Sequence, residues 1–451
     1  MLKLEWDAGT LLLRGGLPPP LAAGFFKYDP RVKCYRSLAI QYRWIIETLK
    51  FIGVQFEDNV FQLPVCRFPE AHLPLLRDYQ REALEAWKRE GRGVIVLPTG
   101  AGKTLVAIAA IAELGVPALI VVPTLELIDQ WEEVVKRHLG LTPSRYGGGE
   151  RELSCVTIAT YDSAYINVER LGNKFELIIL DEVHHLPSPG YRQIAEFSAA
   201  PFRMGLTATP EREDELHLDL PYLVGPVVYR KYARELAGKW LAEFDIVRLY
   251  VNMSESEREE YAKLTSIYRA FLRKKRLRMR GPKDFEKLAA LSVKDPEARE
   301  ALLSWYRARR IALHASMKLD ILRDILAKHR GDKVLIFTEH SDVVRAVSSH
   351  FLVPEITYRT PDEERKTLMS MFKEGRITTL VTSKVLEEGV DVPDANVAVI
   401  LSGSGSGREF VQRLGRILRP KEGKRAILYE VVTSGTKEVK ASSKRRKGVG
   451  A

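Results

Sequence analysis

The chain has few cysteines, few side-chain amides and no long apolar run. Only Cys34, Cys66 and Cys155 occur among its 451 residues. Odd in number and widely spaced, they suit a reducing compartment and offer neither a disulfide framework nor zinc-ligand spacing. Asparagine and glutamine are scarce while 29% of residues are charged, a balance that points to a heat-adapted protein. No apolar stretch reaches the roughly 18 residues a membrane span needs. The N-terminus lacks the basic-then-apolar order of a secretory leader, so a cytoplasmic location is expected. What remains is a globular composition, 45% hydrophobic, in a chain too long for one core. The formal charge of +11 favours a polyanionic partner.

The chain is organised around Leu97-Pro98-Thr99-Gly100-Ala101-Gly102-Lys103-Thr104. An apolar run, Arg92–Val96, leads in like a buried strand, and Leu105–Leu114 leads out with helical spacing to Gly115. A glycine loop between strand and helix aims backbone N–H groups and a helix N-terminus at phosphates. Pro98, Thr99, Gly100, Ala101 and Gly102 form the cradle. Lys103 would reach the β- and γ-phosphates of ATP, and the Thr104 hydroxyl would hold Mg²⁺. Leu97 stands where the usual pattern has its first glycine.

Asp181-Glu182-Val183-His184 directly follows the apolar run Leu177–Leu180. Two carboxylates at a strand end, downstream of a phosphate loop, suit metal holding by Asp181 and water activation by Glu182. His184 and His185 lack any Glu-x-x-His or Cys spacing, so they are not assigned to a metal. Arg77 and Gln80 open a helix running to about Arg89, and the Gln80 amide suits an adenine edge. Thr207 and Thr209 close a further strand as Thr-Ala-Thr and are candidates to couple the ATP site to a bound nucleic-acid strand. Arg212, Glu213 and Asp214 follow as a tight charged turn.

Apolar runs alternating with helical stretches from residue 92 to about 229, and again from 333 to 432, predict two parallel-sheet α/β units. The second has no phosphate loop. It carries Gly389 and Asp391 in a turn, and Gln412 before Arg416 and Arg419 on one helix face, the pattern of arginine fingers. Between the units, Ser254–His314 reads as helical. Its acid-free run Arg269–Arg280, with Arg273, Lys274, Lys275 and Arg276, suits phosphate contact. Residues 1–66 predict two short strands, Lys3–Trp6 and Thr10–Arg14, then an amphipathic helix over Tyr35–Ile52. The aromatic and basic mixture Phe25–Lys33 could stack on bases and hold phosphates, and reads more readily as core rings and solvated charge. The tail from Lys437 to Ala451 reads as a disordered basic segment.

In their order, Leu76–Gln80, Thr99–Thr104, Val122–Thr124, Asp181–His184, Thr207–Thr209, Thr382–Asp391 and Gln412–Arg419 resemble the motifs of superfamily 2 helicases over residues 70–435. Ala208–Asp214, Thr382–Val385 and Gln412–Arg419 narrow the resemblance to the XPB family, in its shorter archaeal form. The resemblance implies an α/β fold of two RecA-like domains, at 70–230 and 231–435, with a small N-terminal α+β damage-recognition domain at 1–66. It also implies a helical thumb-like insertion at about 254–314. It further implies ATP- and Mg²⁺-dependent, 3′-to-5′ movement on DNA in repair or transcription, beside a nuclease or other repair or transcription partner. A duplex translocase, an RNA helicase and an ATP-switched DNA-binding scaffold are the alternatives. Nothing in the residues demands more than a monomer.

Overall fold

The computed structural model describes residues 2–22, 26–66, 68, 75–212, 214–279, 282–383, 395–402 and 425–446. The described residues fall into two compact units that divide after Tyr232.

The first unit begins with a five-stranded mixed sheet. Its strands are β1 (Leu2–Asp7), β2 (Thr10–Arg14), β3 (Lys27–Asp29), β4 (Cys34–Leu38) and β5 (Phe56–Asn59), in the order β3-β4-β2-β1-β5. Leu4, Leu11 and Leu13 alternate onto one face and bury against Ile45 and Leu49 of the helix Tyr42–Phe51. The helix expected from Tyr35 therefore starts seven residues later. Tyr35–Leu38 is strand because it lies between two antiparallel partners, with Leu13↔Tyr35 on one side and Tyr28↔Tyr35 on the other. Sheet pairing outweighs local helical periodicity here.

Eight strands form the unit's main sheet: β6 (Arg92–Val96), β7 (Ala118–Val122), β8 (Ser144–Gly147), β9 (Glu150–Arg151), β10 (Val156–Thr160), β11 (Leu177–Asp181), β12 (Phe202–Thr207) and β13 (Val227–Arg230). The order is β13-β6-β12-β11-β7-β10-β8-β9, and all pairs except β8–β9 are parallel. β7, β10 and β11 are buried along their whole length, as expected of strands covered on both faces. Arg203 of β12 is also buried. It donates to the carbonyls of Ala195, Ser198, Ala200 and Leu223, so its backbone neighbours replace the water it lost.

The second unit is built on a six-stranded parallel sheet of β14 (Glu243–Val251), β15 (Val334–Phe337), β16 (Glu355–Ile356), β17 (Thr379–Thr382), β18 (Val397–Ile400) and β19 (Arg425–Thr433). The order is β14-β19-β18-β15-β17-β16. Between β14 and the helix Met317–Lys328 stand three helices, Glu255–Lys274, Pro282–Lys294 and Pro296–Leu313. They enclose their own small core of Tyr268, Phe271, Leu288, Ala298 and Ala301. The first is capped by Ser254 and Glu257 in a reciprocal capping box.

Two further expectations are overturned. Cys66 and Cys155 are joined in a disulfide with Cα atoms 5.2 Å apart, although their sequence separation of 89 gave no hint of pairing. Lys437–Arg446, expected to be disordered, is a helix. Its Glu438 carboxylate accepts from the buried ammonium of Lys318 at 2.9 Å and from the Thr433 N–H at 2.9 Å, which ties the helix start to the sheet. Among the described residues, no helix is long and apolar enough to cross a membrane.

Candidate functional site

Three adjacent strands bring the nominated residues of the first unit to one edge. β12 pairs with β6 on one side, with Thr207 opposite Val96, and with β11 on the other, with Asp181 opposite Leu206. The segments leaving the C-terminal ends of β6, β11 and β12 are the phosphate loop, Glu182–His185 and Ala208–Arg212. A parallel sheet places ligands at this edge.

The loop is held at both ends. Leu97 N–H donates to Thr207 O at 3.1 Å, and Gly102 caps the helix Lys103–Leu114. Gly100 and Gly102 have φ of 83° and 75°, in the region that side chains disfavour. A Cβ on Gly102 would also lie 2.5 Å from Gln80 Nε2. Gln80 is buried, and its amide is engaged within the protein. Nε2 donates to Ala101 O at 2.8 Å and to Gly102 O at 3.4 Å, while Oε1 accepts from Arg77 N–H at 2.9 Å. Tyr79 OH donates to the same Ala101 carbonyl at 2.7 Å. Gln80 thus braces the loop from behind, and Arg77 contributes its backbone N–H to that brace. Lys103 Nζ donates to Leu97 O at 3.3 Å, curled over the loop it would leave on meeting a phosphate.

Asp181 is buried at the end of β11. Its Oδ2 accepts from Trp131 Nε1 at 2.9 Å, and its Oδ1 accepts from the Glu182 N–H at 3.0 Å. Burial pushes its carboxyl above the ordinary range; the charge of Lys103 and the two hydrogen bonds oppose that push. Tyr161 OH donates to the Asp181 carbonyl at 2.9 Å, so backbone and side chain are both fixed.

Glu182 adopts a left-handed backbone, φ 46° and ψ 54°, rare for a residue with a Cβ. The turn carries its carboxylate to Thr207, whose hydroxyl lies 3.4 Å from Glu182 Oε2. His184 Nδ1 is also 3.4 Å from that oxygen and 3.2 Å from Thr207 Oγ1. Thr207 Oγ1 in turn accepts from Thr209 N–H at 3.2 Å. Arg212 Nη1 donates to the His184 carbonyl at 2.6 Å, and the same guanidinium grips Asp214 with two bonds of 2.9 and 2.6 Å. One polar chain therefore runs from Glu182 through His184 and Thr207 to Thr209, with Arg212 joined to it through the His184 carbonyl. Trp131, Tyr79, Tyr161 and His184 were not nominated from sequence. Trp131, Tyr79 and Tyr161 act through partners 50, 22 and 20 residues away, which no local pattern reports, while His184 joins its near neighbour Glu182 to the distant Thr207.

In the second unit the basic run is partly neutralised. Lys274 pairs with Glu297 at 2.7 Å and Lys275 with Asp295 at 3.0 Å, while Arg273 donates to the Arg269 carbonyl. Arg276 is exposed. Glu213, Gly389, Asp391, Gln412, Arg416 and Arg419 lie outside the described residues.

The donor set fits a magnesium nucleotide. A glycine cradle at a helix start, an ammonium, a hydroxyl and a buried carboxylate provide for phosphate and for a hard cation. Each Asp181 oxygen has one protein donor, which leaves lone pairs for a metal or its water.

Three family models match the chain in series. Residues 4–60 match the xeroderma pigmentosum group B helicase damage recognition domain, and residues 74–212 match the type III restriction enzyme res subunit. Residues 315–449 match the ERCC3/RAD25/XPB C-terminal helicase. The chain is 45% identical over 448 residues to the DNA 3′-5′ translocase XPB2 of Sulfurisphaera tokodaii, covering 99% of this chain and 100% of that protein. It is 34% identical over 386 residues to the DNA 3′-5′ helicase XPB of Mycobacterium tuberculosis, covering 82% of this chain and 63% of that one. In fold it resembles the crystal structure of the Pyrococcus furiosus Hef helicase domain, with a TM-score of 0.56 at 19% identity, covering 82% of this chain and 98% of that one. With near-complete coverage at 45% identity and both XPB-specific models matched, the chain belongs to the XPB family of helicases.

Proposed function

We propose that this chain is an ATP-driven motor that moves 3′-to-5′ along DNA and opens duplex in repair or transcription. The observation that supports it most is the polar chain from Glu182 to Arg212 beside the phosphate loop. A phosphate switch alone does not require its catalytic carboxylate to be bonded to Thr207 and, through His184, to the Arg212 turn.

The loop Pro98–Gly102 wraps the phosphates with the backbone N–H groups of its non-proline residues, and Lys103 moves from the Leu97 carbonyl to the β- and γ-phosphates. Thr104 and Asp181 hold Mg²⁺, with Trp131 fixing the carboxylate. When bound, the cation draws charge off the phosphate oxygens. Glu182 orients the attacking water and takes its proton, and His184 and Thr207 hold Glu182 in place. Family resemblance assigns Gly389, Asp391 and Gln412 to the nucleotide and Arg416 and Arg419 to the γ-phosphate. Thr207, Thr209, Arg212, Glu213 and Asp214 couple hydrolysis to the strand, and Arg273 to Arg276 contact DNA phosphates. A nuclease or repair factor is the expected protein partner.

A second reading is a duplex translocase that does not separate strands, since the relative that spans this whole chain is named a translocase. ATP hydrolysis is measured without nucleic acid, then with single-stranded DNA, forked DNA and RNA, with Lys103→Ala as the blank. Stimulation by DNA over RNA supports the DNA motor, and equal rates under all conditions overturn it. Strand displacement beside triplex displacement then separates unwinding from translocation.

A further inference from the structure

The second unit contains a cavity of about 320 Å³ with no part in the ATP site. It lies between the helices Glu255–Lys274 and Pro296–Leu313 of the insertion and the C-terminal helix Lys437–Arg446. Tyr261, Tyr268 and Trp305 supply aromatic wall, and Leu272, Leu313 and Ala308 supply aliphatic wall. The Thr265 hydroxyl in the same lining is buried and has no hydrogen-bond partner among the described residues.

Among the described residues, the charge around this cavity that no ion pair takes up is of one sign. Arg269 and Lys437 line it, and Lys440 follows one helical turn on. No carboxylate lies within ion-pair distance of these three among the described residues. The acid that lines the cavity, Glu438, is taken by Lys318 and by the Thr433 N–H. Arg309 pairs with Glu339. The Lys437 ammonium stands 5.4 Å from the centre of the Tyr268 ring. Partial burial, and then the charges of Arg269 and Lys440, pull that amine below its ordinary value. Repulsion among neighbouring cations is relieved by an anion.

We infer that this cavity receives one nucleotide unit, its base between the aromatic walls and its phosphate on Arg269, Lys437 and Lys440. Bases stack on aromatic rings with little regard to sequence, and phosphates take Lys and Arg as partners. The volume falls at the lower end of the range for small-molecule sites, which suits a nucleoside and excludes a duplex end. The unit comes either from a free mononucleotide or from an unstacked position of a DNA strand. The second source rests on the DNA-motor reading; the first does not.

The test uses 2-aminopurine, whose fluorescence falls on stacking, as the deoxynucleoside monophosphate and within a single-stranded oligonucleotide. Both are titrated into the full chain carrying Lys103→Ala, so that the phosphate loop does not compete. Quenching of both probes is expected. Lys437→Ser should weaken binding about tenfold and Lys437→Arg should restore most of it. Ala308→Phe, which fills the cavity, should remove the quenching. If that variant fails to fold, the Lys437 pair decides. Quenching in the oligonucleotide alone assigns the source to a strand, and quenching of the monophosphate alone assigns it to free nucleotide. Wild-type binding of both probes by Lys437→Ser, or quenching of neither probe by the parent, overturns the inference. In the Lys103 background, DNA-free hydrolysis of ATP cannot be read, so the same cavity variants are also made in the unaltered chain. DNA stimulation that persists there with unchanged probe binding sinks the cavity and leaves the motor standing. Loss of stimulation in the parent with intact probe binding does the reverse.

Discussion

Trp131 donates its indole N–H to Asp181 Oδ2 at 2.9 Å, linking a helix on one side of β7 to the carboxylate at the end of β11. The donor is 50 residues away in sequence and the pair is buried. It orients that carboxylate and opposes the desolvation that pushes its carboxyl up.

Trp131→Phe keeps an aromatic side chain but removes the donor, and its smaller ring leaves a cavity that adds to the loss. The expected loss is about 1–3 kcal/mol of stability, from one unsatisfied buried acceptor. ATP turnover should fall more than ATP affinity, because the lesion is at the carboxylate proposed to hold the metal and not at the loop. Thermal unfolding together with kcat and KM for ATP checks both. Unchanged kcat in a destabilised protein would reduce Trp131 to a packing residue.

Arg212→Ala separates coupling from hydrolysis. The Arg212 guanidinium holds the Asp214 carboxyl down at about 2, below the ordinary carboxylate value. A depressed folded value gives stability that is present above the unfolded value and lost as pH falls through the folded one. The melting-temperature gap between wild type and Arg212→Ala should therefore be full above about pH 5 and close towards pH 2. Basal ATP hydrolysis should persist while duplex opening is impaired. Unwinding at the wild-type rate would remove Arg212 from the coupling path.

Reduction should soften the first unit. The Cys66–Cys155 bond closes a loop with a separation of 89 residues, for which chain entropy gives about 4–5 kcal/mol as an upper estimate. A lower melting temperature is expected for Cys66→Ser, and for wild type in dithiothreitol, with no further effect of dithiothreitol on Cys66→Ser. Equal melting in oxidised and reduced protein would show that the bond contributes nothing to stability.

Glu438→Ala leaves the Lys318 ammonium buried with the Leu401 carbonyl as acceptor, at 2.7 Å. Breaking a buried pair from one side costs about 3–5 kcal/mol. Hydrogen exchange should rise first along Lys437–Arg446, which the pair anchors. Protection equal to wild type over that helix would show that other packing holds it.

The motor strands were legible because each is a short apolar run bounded by turn residues. Arg92–Val96 appears with the limits its composition predicts. β14 and β4 were not legible. Glu243–Val251 carries a strand-like alternation, but it is short beside the long helical stretch that follows, and it takes its place at the sheet edge by pairing along β19. Cys34–Leu38 becomes one by filling the gap between β2 and β3.

The glycine loop, Lys103, Thr104, Asp181 and Glu182 could be nominated from sequence, since phosphate cradling needs fixed residue types at fixed spacing along the backbone. Tertiary structure decided what each group touches. It turned Gln80 inward onto the loop carbonyls, set Trp131 on Asp181, and joined Glu182 to Thr207 through neighbouring strands. It also paired Cys66 with Cys155 and ordered the Lys437 helix on Lys318. The physical reason is one of range. Loop chemistry and strand patterning act over a few residues and are written locally, whereas a buried hydrogen bond, disulfide or ion pair depends on which distant segments the sheet order brings together.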